Sequence, residues 1–304
     1  MKEQTGESYT ASAFAKTLLV SDAKAGKTAF EVASALGVLP WQTEGGIVSN
    51  PSDLHIVTFD ASALGGIQKF LTQSCGASPE SLGFKVWNFQ DDARRVAEGS
   101  SAGLETDLFT KLIDVRDRIR QKVAGRGTPM VVISSLTGMA LAIERSLMGR
   151  PDKRGYGDQN KWTLLSAQLF ELQNIFQTDD WHLVWEGHIY KPPATGQQGP
   201  ESPQPKESLQ VRGKAGNNWA YNVEQVFRLR REWGSRHGDT PVERSYLDTK
   251  PTLDFIASGR GFTESLKAKE YDMTVAFRKL GLKVGHWGAK SGAPIIKKKK
   301  KLTK

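Results

Sequence analysis

Leu18-Leu19-Val20-Ser21-Asp22-Ala23-Lys24-Ala25-Gly26-Lys27-Thr28 is the stretch whose reading decides the fold. An apolar, β-rich run from Thr17 to Val20 breaks into a small polar loop. The loop ends in Gly26-Lys27-Thr28 at the head of an apolar-periodic helix predicted over Ala29 to Val38. Strand, loop and helix in this order make a phosphate-binding loop. Backbone N–H groups of the loop and of the helix N-terminus point at phosphate oxygens, Lys27 reaches the β- and γ-phosphates, and the Thr28 hydroxyl ligates Mg²⁺. Ser21, Asp22, Ala23, Lys24, Ala25, Gly26, Lys27 and Thr28 are therefore the expected nucleotide-phosphate residues. The pattern Gly-x4-Gly-Lys-Ser/Thr is met except at its first position, where Ser21 stands. Serine tolerates a positive φ less well than glycine, so the first turn of the loop is expected to be built differently. A chance Gly-Lys-Thr in a loop is the bland alternative, and the strand and helix on either side weigh against it.

A chain of 304 residues that is 38% hydrophobic can bury one large α/β core. No run of about 18 apolar residues occurs, and the first ten residues are polar, so neither a membrane span nor a secretory signal is expected. The expected compartment is the cytoplasm. The single cysteine, Cys75, excludes an internal disulfide and a multi-cysteine metal site, and the five histidines lack ligand spacing. The net charge of +9 is mostly a tail. Residues 289–304 carry seven lysines (Lys290, Lys297, Lys298, Lys299, Lys300, Lys301 and Lys304) and no acid, which leaves the rest at about +2. Such a tail gathers phosphate backbones by counterion release, without reading sequence, or it only keeps the chain soluble.

Along the chain, apolar runs alternate with helical patterns. His55 to Asp60 reads as a second strand, followed by a helix from Ala61 to about Ser74 and a third strand over Phe84 to Phe89. Leu104, Leu108, Leu112, Val115, Ile119 and Val123 fall at helical spacing, ended by Gly125-Arg126-Gly127. Met130 to Ser134 is a short apolar strand, with helices predicted over Leu136 to Met148 and Trp162 to Gln177. A fifth strand spans His182 to Glu186 and leads into Gly187-His188-Ile189. This alternation predicts a mostly parallel sheet flanked by helices, with its ligand site at the strand C-terminal ends, where Asp60, Ser134, Glu186 and His188 fall. Lys191 to Leu209 holds five of the 13 prolines without periodicity and reads as a long loop at that edge. Val223 to Leu229 reads as a further strand, and strands over Val242 to Leu247 and Leu253 to Ile256 finish the core as antiparallel additions. The expected division is a nucleotide-binding core over 1–260 and a C-terminal extension with the lysine tail over 261–304.

The strand at Met130 to Ser134 lies where a phosphate-loop enzyme places its magnesium carboxylate, yet it ends in Ser134-Ser135. A hydroxyl is a weak magnesium ligand, so metal binding is expected to lean on Thr28, on the nucleotide, or on another carboxylate, with Asp60 first in line. Asp60 capping the following helix is the equally weighted structural alternative.

The phosphate loop, the DASAL of Asp60 to Leu64, the loop after the fifth strand, and GKAGNNWAYNVEQVFRLRR followed by a hairpin together resemble the RecA-like ATPases. The resemblance covers roughly residues 15–257, and only the phosphate loop is specific by itself. It looks most like the small single-core members encoded by bacteriophages, which act in single-strand annealing and recombination. It implies ATP and Mg²⁺ as cofactors. As partners it implies single-stranded DNA, further copies of the chain in a ring or filament, and a single-strand-binding protein. The host cytoplasm is the implied compartment. In the family a glutamate after the second strand activates water. The aligned position here is Ser62, so the role is vacant or moved to Asp60 or Glu186. The γ-phosphate sensor resembles His188, with a satisfied strand-end histidine as the alternative. A basic residue given by a neighbouring subunit corresponds to Lys250 or Arg244, with solvated surface as the alternative. The family's DNA loop corresponds to 191–209, flanked by Lys191, Arg212 and Lys214. Two other functions stay open: a nucleotide-binding switch without efficient hydrolysis, favoured by Ser62 and Ser134, and a small hexameric helicase or packaging-type motor.

Overall fold

The computed structural model describes residues 13–22, 25–39, 42, 44–75, 78–97, 108–148, 159–190, 208–211, 218–234, 242–249 and 272–287. Its centre is a sheet of β1 (Lys16–Ser21), β2 (Leu54–Thr58), β3 (Lys85–Asn88), β4 (Met130–Ser134), β5 (His182–Tyr190), β7 (Gln225–Gly234) and β8 (Val242–Asp248), in the order β3-β2-β4-β5-β1-β7-β8. All neighbours are parallel except β7 and β8. A short β6 (Ser208–Leu209) returns antiparallel onto the end of β5. The fold is thus the α/β, mostly parallel sheet with a late antiparallel strand that the alternating pattern predicts.

Each central strand is buried on both faces, which is why it reads as a continuous apolar run rather than an alternating one. The side chains nevertheless sort with period two. Leu18, Val20, Val57, Val131, Ile133, Leu183 and Trp185 face α5 (Leu108–Val123), α6 (Leu136–Met148) and α7 (Gln159–Gln177). Leu19, Leu54, Ile56, Met130, Val132 and Val184 face α1 (Lys27–Leu36) and α2 (Ala61–Phe70). The same parity puts Ser21, Ser134, Glu186 and His188 on the α1 side. The polar strand ends therefore meet the start of that helix.

Several elements differ from their predicted bounds. The second helix gives way at Leu71–Cys75 to a π-turn. Two short helices, α3 (Pro79–Leu82) and α4 (Gln90–Ala97), flank β3; neither is long enough to show a helical period in sequence. β5 runs four residues beyond Glu186. Gly187 lies beneath the covering β6, where a Cβ would come within 2.3 Å of Leu209 Cδ1. Residues 272–287, placed in the C-terminal extension by the sequence pattern, pack into the core. Asp272 caps α8 (Met273–Lys279), whose Met273, Ala276 and Phe277 join the α1 side, and Gly285 to Trp287 exchange backbone bonds with Gly46 to Val48. The expected strand at Leu253 to Ile256 and most of the 191–209 loop lie outside the described residues. No helix among those described is long and apolar enough to cross a membrane.

His182 clasps this packing together. Its Nδ1 accepts from Ala15 N at 3.0 Å, its Nε2 donates to Lys283 O at 2.6 Å, and its ring stacks on Phe277. Complete burial pushes its pKa down to about 3. A histidine whose folded pKa is depressed stabilises the fold fully above its unfolded value near 6.5, and that stability is lost as pH falls towards 3. His182→Ala, which deletes both bonds and leaves a cavity, should lower Tm at pH 7 by roughly 5–10 °C. Thermal unfolding of the variant should also show a smaller loss between pH 7 and pH 4.5 than the wild type does; parallel losses would contradict the clasp.

Candidate functional site

Gly26 ends the loop after β1 in the left-handed region (φ 77°), which glycine adopts without strain, and it forms the N-cap of α1 with no side-chain capping bond. The first N–H groups of the helix are thus left for a ligand rather than for a side chain. Lys27 follows at once and turns inward. Its side chain is 5% exposed, and Nζ donates to Ser21 Oγ at 2.8 Å and lies 3.4 Å from His188 Nδ1. Because an ammonium only donates, His188 must accept through Nδ1 and carry its proton on Nε2. Burial, reinforced by the Lys27 charge, pulls His188 down to about 4, so the ring is neutral near pH 7. Burial also lowers the Lys27 pKa, against the pull of Glu186, Glu31, Asp22 and Asp60.

Beneath the lysine, three strands converge on α1. Parallel register sets Leu19 beside Glu186 and Ser21 beside His188, and sets Ile133 beside Trp185, so Ser134 and Glu186 are neighbours. The hydroxyls of Thr28 and Ser134 both donate to Glu186 Oε2, at 2.9 and 3.1 Å, and stand 3.0 Å from each other. One helical turn past Lys27, on the same face of α1, is Glu31, fully buried. Neither Glu31 oxygen nor Glu186 Oε1 receives a hydrogen bond from any other donor. Two carboxylates buried so near each other repel, and a proton held by one of them relieves that repulsion. Burial first, and then the Glu186 charge, raise the Glu31 pKa well above the usual carboxylate range. Burial likewise raises Glu186, opposed by the bond to Glu31, by Lys27 and by the two hydroxyls.

Of the expected residues, Ser21, Gly26, Lys27, Thr28, Ser134, Glu186 and His188 come together. Asp22 is described and exposed, and Ala25 is buried, at the two ends of the loop. Ala23, Lys24, Lys191, Arg212, Lys214, Lys250 and Lys297 to Lys301 lie outside the described residues. Asp60 lies two residues past β2, half-buried, with its backbone N–H bonded to Thr58 Oγ1. Its charge reaches both Lys27 and His188, yet the Thr28 hydroxyl bonds to Glu186 and Ser134. Ser62 is the second residue of α2, and Arg244 lies in β8. Glu31 was missed from sequence. The available signal was an acid inside an apolar helix, four residues after Lys27.

The site can hold an anion at the helix start. Its hydroxyl and carboxyl oxygens are hard donors suited to Mg²⁺. Among the described residues no group of three or more His, Cys, Asp or Glu could hold a metal unaided, so any cation there would need oxygens of a ligand as well. Neither a protein-family model nor a curated protein matches this chain.

The raised pKa values of the two buried carboxyls have a measurable consequence. Acids whose folded pKa is raised stabilise the fold fully below their unfolded value near 4.5, and that contribution is lost as pH rises above it. Glu31→Gln keeps the shape and donates permanently to Glu186. In EDTA and without nucleotide, urea unfolding of this variant should show a smaller decline in stability from pH 5 to pH 8 than that of the wild type. Equal declines would mean that Glu31 does not titrate with a raised pKa.

Proposed function

We propose that the chain is an ATP-binding, RecA-like protein that acts on single-stranded DNA as an oligomer, in strand annealing or recombination. The observation that carries the nucleotide part is Lys27: a desolvated ammonium resting on two neutral acceptors, Ser21 Oγ and His188 Nδ1, beside an uncapped helix N-terminus. Neutral acceptors compensate a buried charge poorly, so a phosphate oxygen is a better partner than either. The mostly parallel sheet, with the site at its strand C-terminal ends, is compatible with a RecA-like core.

In this reading the N–H groups of Gly26 to Thr28 and the Lys27 ammonium bind the β- and γ-phosphates, with Thr28 Oγ1 next to them as a magnesium ligand. Mg²⁺, when bound with the nucleotide, screens the phosphate charge. His188, freed from Lys27, offers its ring to the γ-phosphate from β5. Asp60, whose field already reaches His188, is the candidate to orient the attacking water. The DNA part rests on the sequence resemblance and on the position of 191–207 in the chain, directly after β5.

A second reading, a nucleotide-operated switch with little turnover, is favoured by one observation. The strand end that carries an acid in hydrolysing phosphate-loop enzymes carries Ser134 here, and that hydroxyl donates to Glu186. Turnover with and without single-stranded DNA separates the two.

Lys27→Ala should weaken ATP binding by about 3 kcal/mol or more, over a hundredfold, with the fold retained. Unchanged affinity in the folded variant, by calorimetry, would remove the nucleotide reading. For DNA, deleting residues 290–304 should flatten the salt dependence of single-strand binding, by at most about 0.7 log unit for each of seven lysines. It should leave DNA stimulation of ATP turnover reachable at higher DNA concentration. Shortening 191–207 should abolish that stimulation and spare basal turnover. Full stimulation in the shortened chain would refute the loop's role.

A further inference from the structure

In a phosphate-loop site the Thr28 hydroxyl is one magnesium ligand, and an acid at the end of the second nucleotide strand is its partner. Here β4 ends in Ser134, so that acid is missing from its own strand. The adjacent strand supplies one instead. Ser134 and Glu186 sit side by side on the α1 face, and Glu186 Oε2 lies 3.1 Å from Ser134 Oγ and 2.9 Å from Thr28 Oγ1. A glutamate is one methylene longer than an aspartate, and from the neighbouring strand it brings an oxygen within hydrogen-bond distance of the place where an acid at 134 would begin. We propose that Glu186, reaching across from β5, is the carboxylate that faces the nucleotide-bound divalent cation in this chain. The assignment rests on the nucleotide reading above.

The charge balance of the pocket points the same way. Glu31 and Glu186 are both buried, and three of their four oxygens lack a hydrogen-bond donor. Carboxyl oxygens left without donors in the interior favour a cationic partner. When Lys27 swings onto phosphate, the same carboxylates are left facing the position next to Thr28, where hard oxygen donors favour a divalent cation. Asp60 is the competing acid, and the Thr28 hydroxyl already bonds to Glu186.

The test reads binding rather than turnover. Calorimetry with a non-hydrolysable ATP analogue, in Mg²⁺ and in EDTA, compares wild type, Glu186→Gln, Asp60→Ala and the double variant Ser134→Asp/Glu186→Gln. Wild type should bind more tightly in Mg²⁺. Glu186→Gln should lose at least about tenfold of that gain and keep its affinity in EDTA. Asp60→Ala should keep the gain, and the double variant, which returns the acid to β4, should regain it. A full gain in Glu186→Gln, or its loss in Asp60→Ala, would overturn the assignment while leaving the nucleotide reading intact. Absence of analogue binding by wild type in both buffers would overturn the nucleotide reading and this one with it. A readout that needs no variant is the ¹³C coupling to Mn²⁺ bound with the analogue. Coupling in protein labelled at glutamate carboxyls supports the assignment, and coupling only in aspartate-labelled protein refutes it.

Discussion

Glu186 Oε2 accepts from Thr28 on α1 and from Ser134 on β4, and the rest of the site depends on that oxygen. It ties the helix that begins at the loop to two neighbouring strands, so the loop's position is fixed from below rather than by a capping side chain. It also makes the site electrically tense. Two carboxyls and an ammonium are buried beneath the loop, and the ammonium rests on neutral acceptors. Such groups cost free energy when buried without an ionic partner, and a ligand that satisfies them recovers it on binding.

The sheet makes this arrangement affordable. Every central strand is buried on both faces, and the helices of one side, α5 to α7, pack a mainly apolar layer in which Trp185 stands edge-on to Trp219 and Phe176. The buried polar groups of that side bond locally, Gln173 Nε2 donating to the Trp219 carbonyl and Lys16 Nζ to the Asp179 and Trp181 carbonyls, while those of the site gather at the C-terminal ends of β1, β4 and β5. α8 and the residues after it close that side further down, where Phe277 covers His182.

Much of this was legible in the sequence because the signals were local. Continuous apolar runs bounded by glycine gave the parallel strands, and Gly26-Lys27-Thr28 between a strand and an apolar helix marked the site. What was hidden depends on register. That Ser134 and Glu186 are neighbours follows from the pairing of Ile133 with Trp185, which no single stretch encodes. Glu31 was hidden because an acid in a ten-residue helix ordinarily reads as a solvated position, and only the packing of α1 on the sheet buries it. α8 was hidden by its length, seven residues, and by the distance in sequence to its partners on α1. The long loop, Lys250 and the lysine tail fall outside the described residues, so their expected roles rest on the sequence.

The clasp at His182 has a geometric corollary. Lys283 N bonds to Ala13 O, so the described chain begins and ends at one pole of the sheet, at the N-terminal end of β1. The loop and Lys27 lie at the opposite end of that strand, whose six residues span about 20 Å. At physiological ionic strength charges decay over about 8 Å. Charges on the described residues of that pole, Lys283 among them, are therefore screened from the phosphate site, and coupling between the two ends of β1 runs through the packed framework of β1, α1 and α8 rather than through the field.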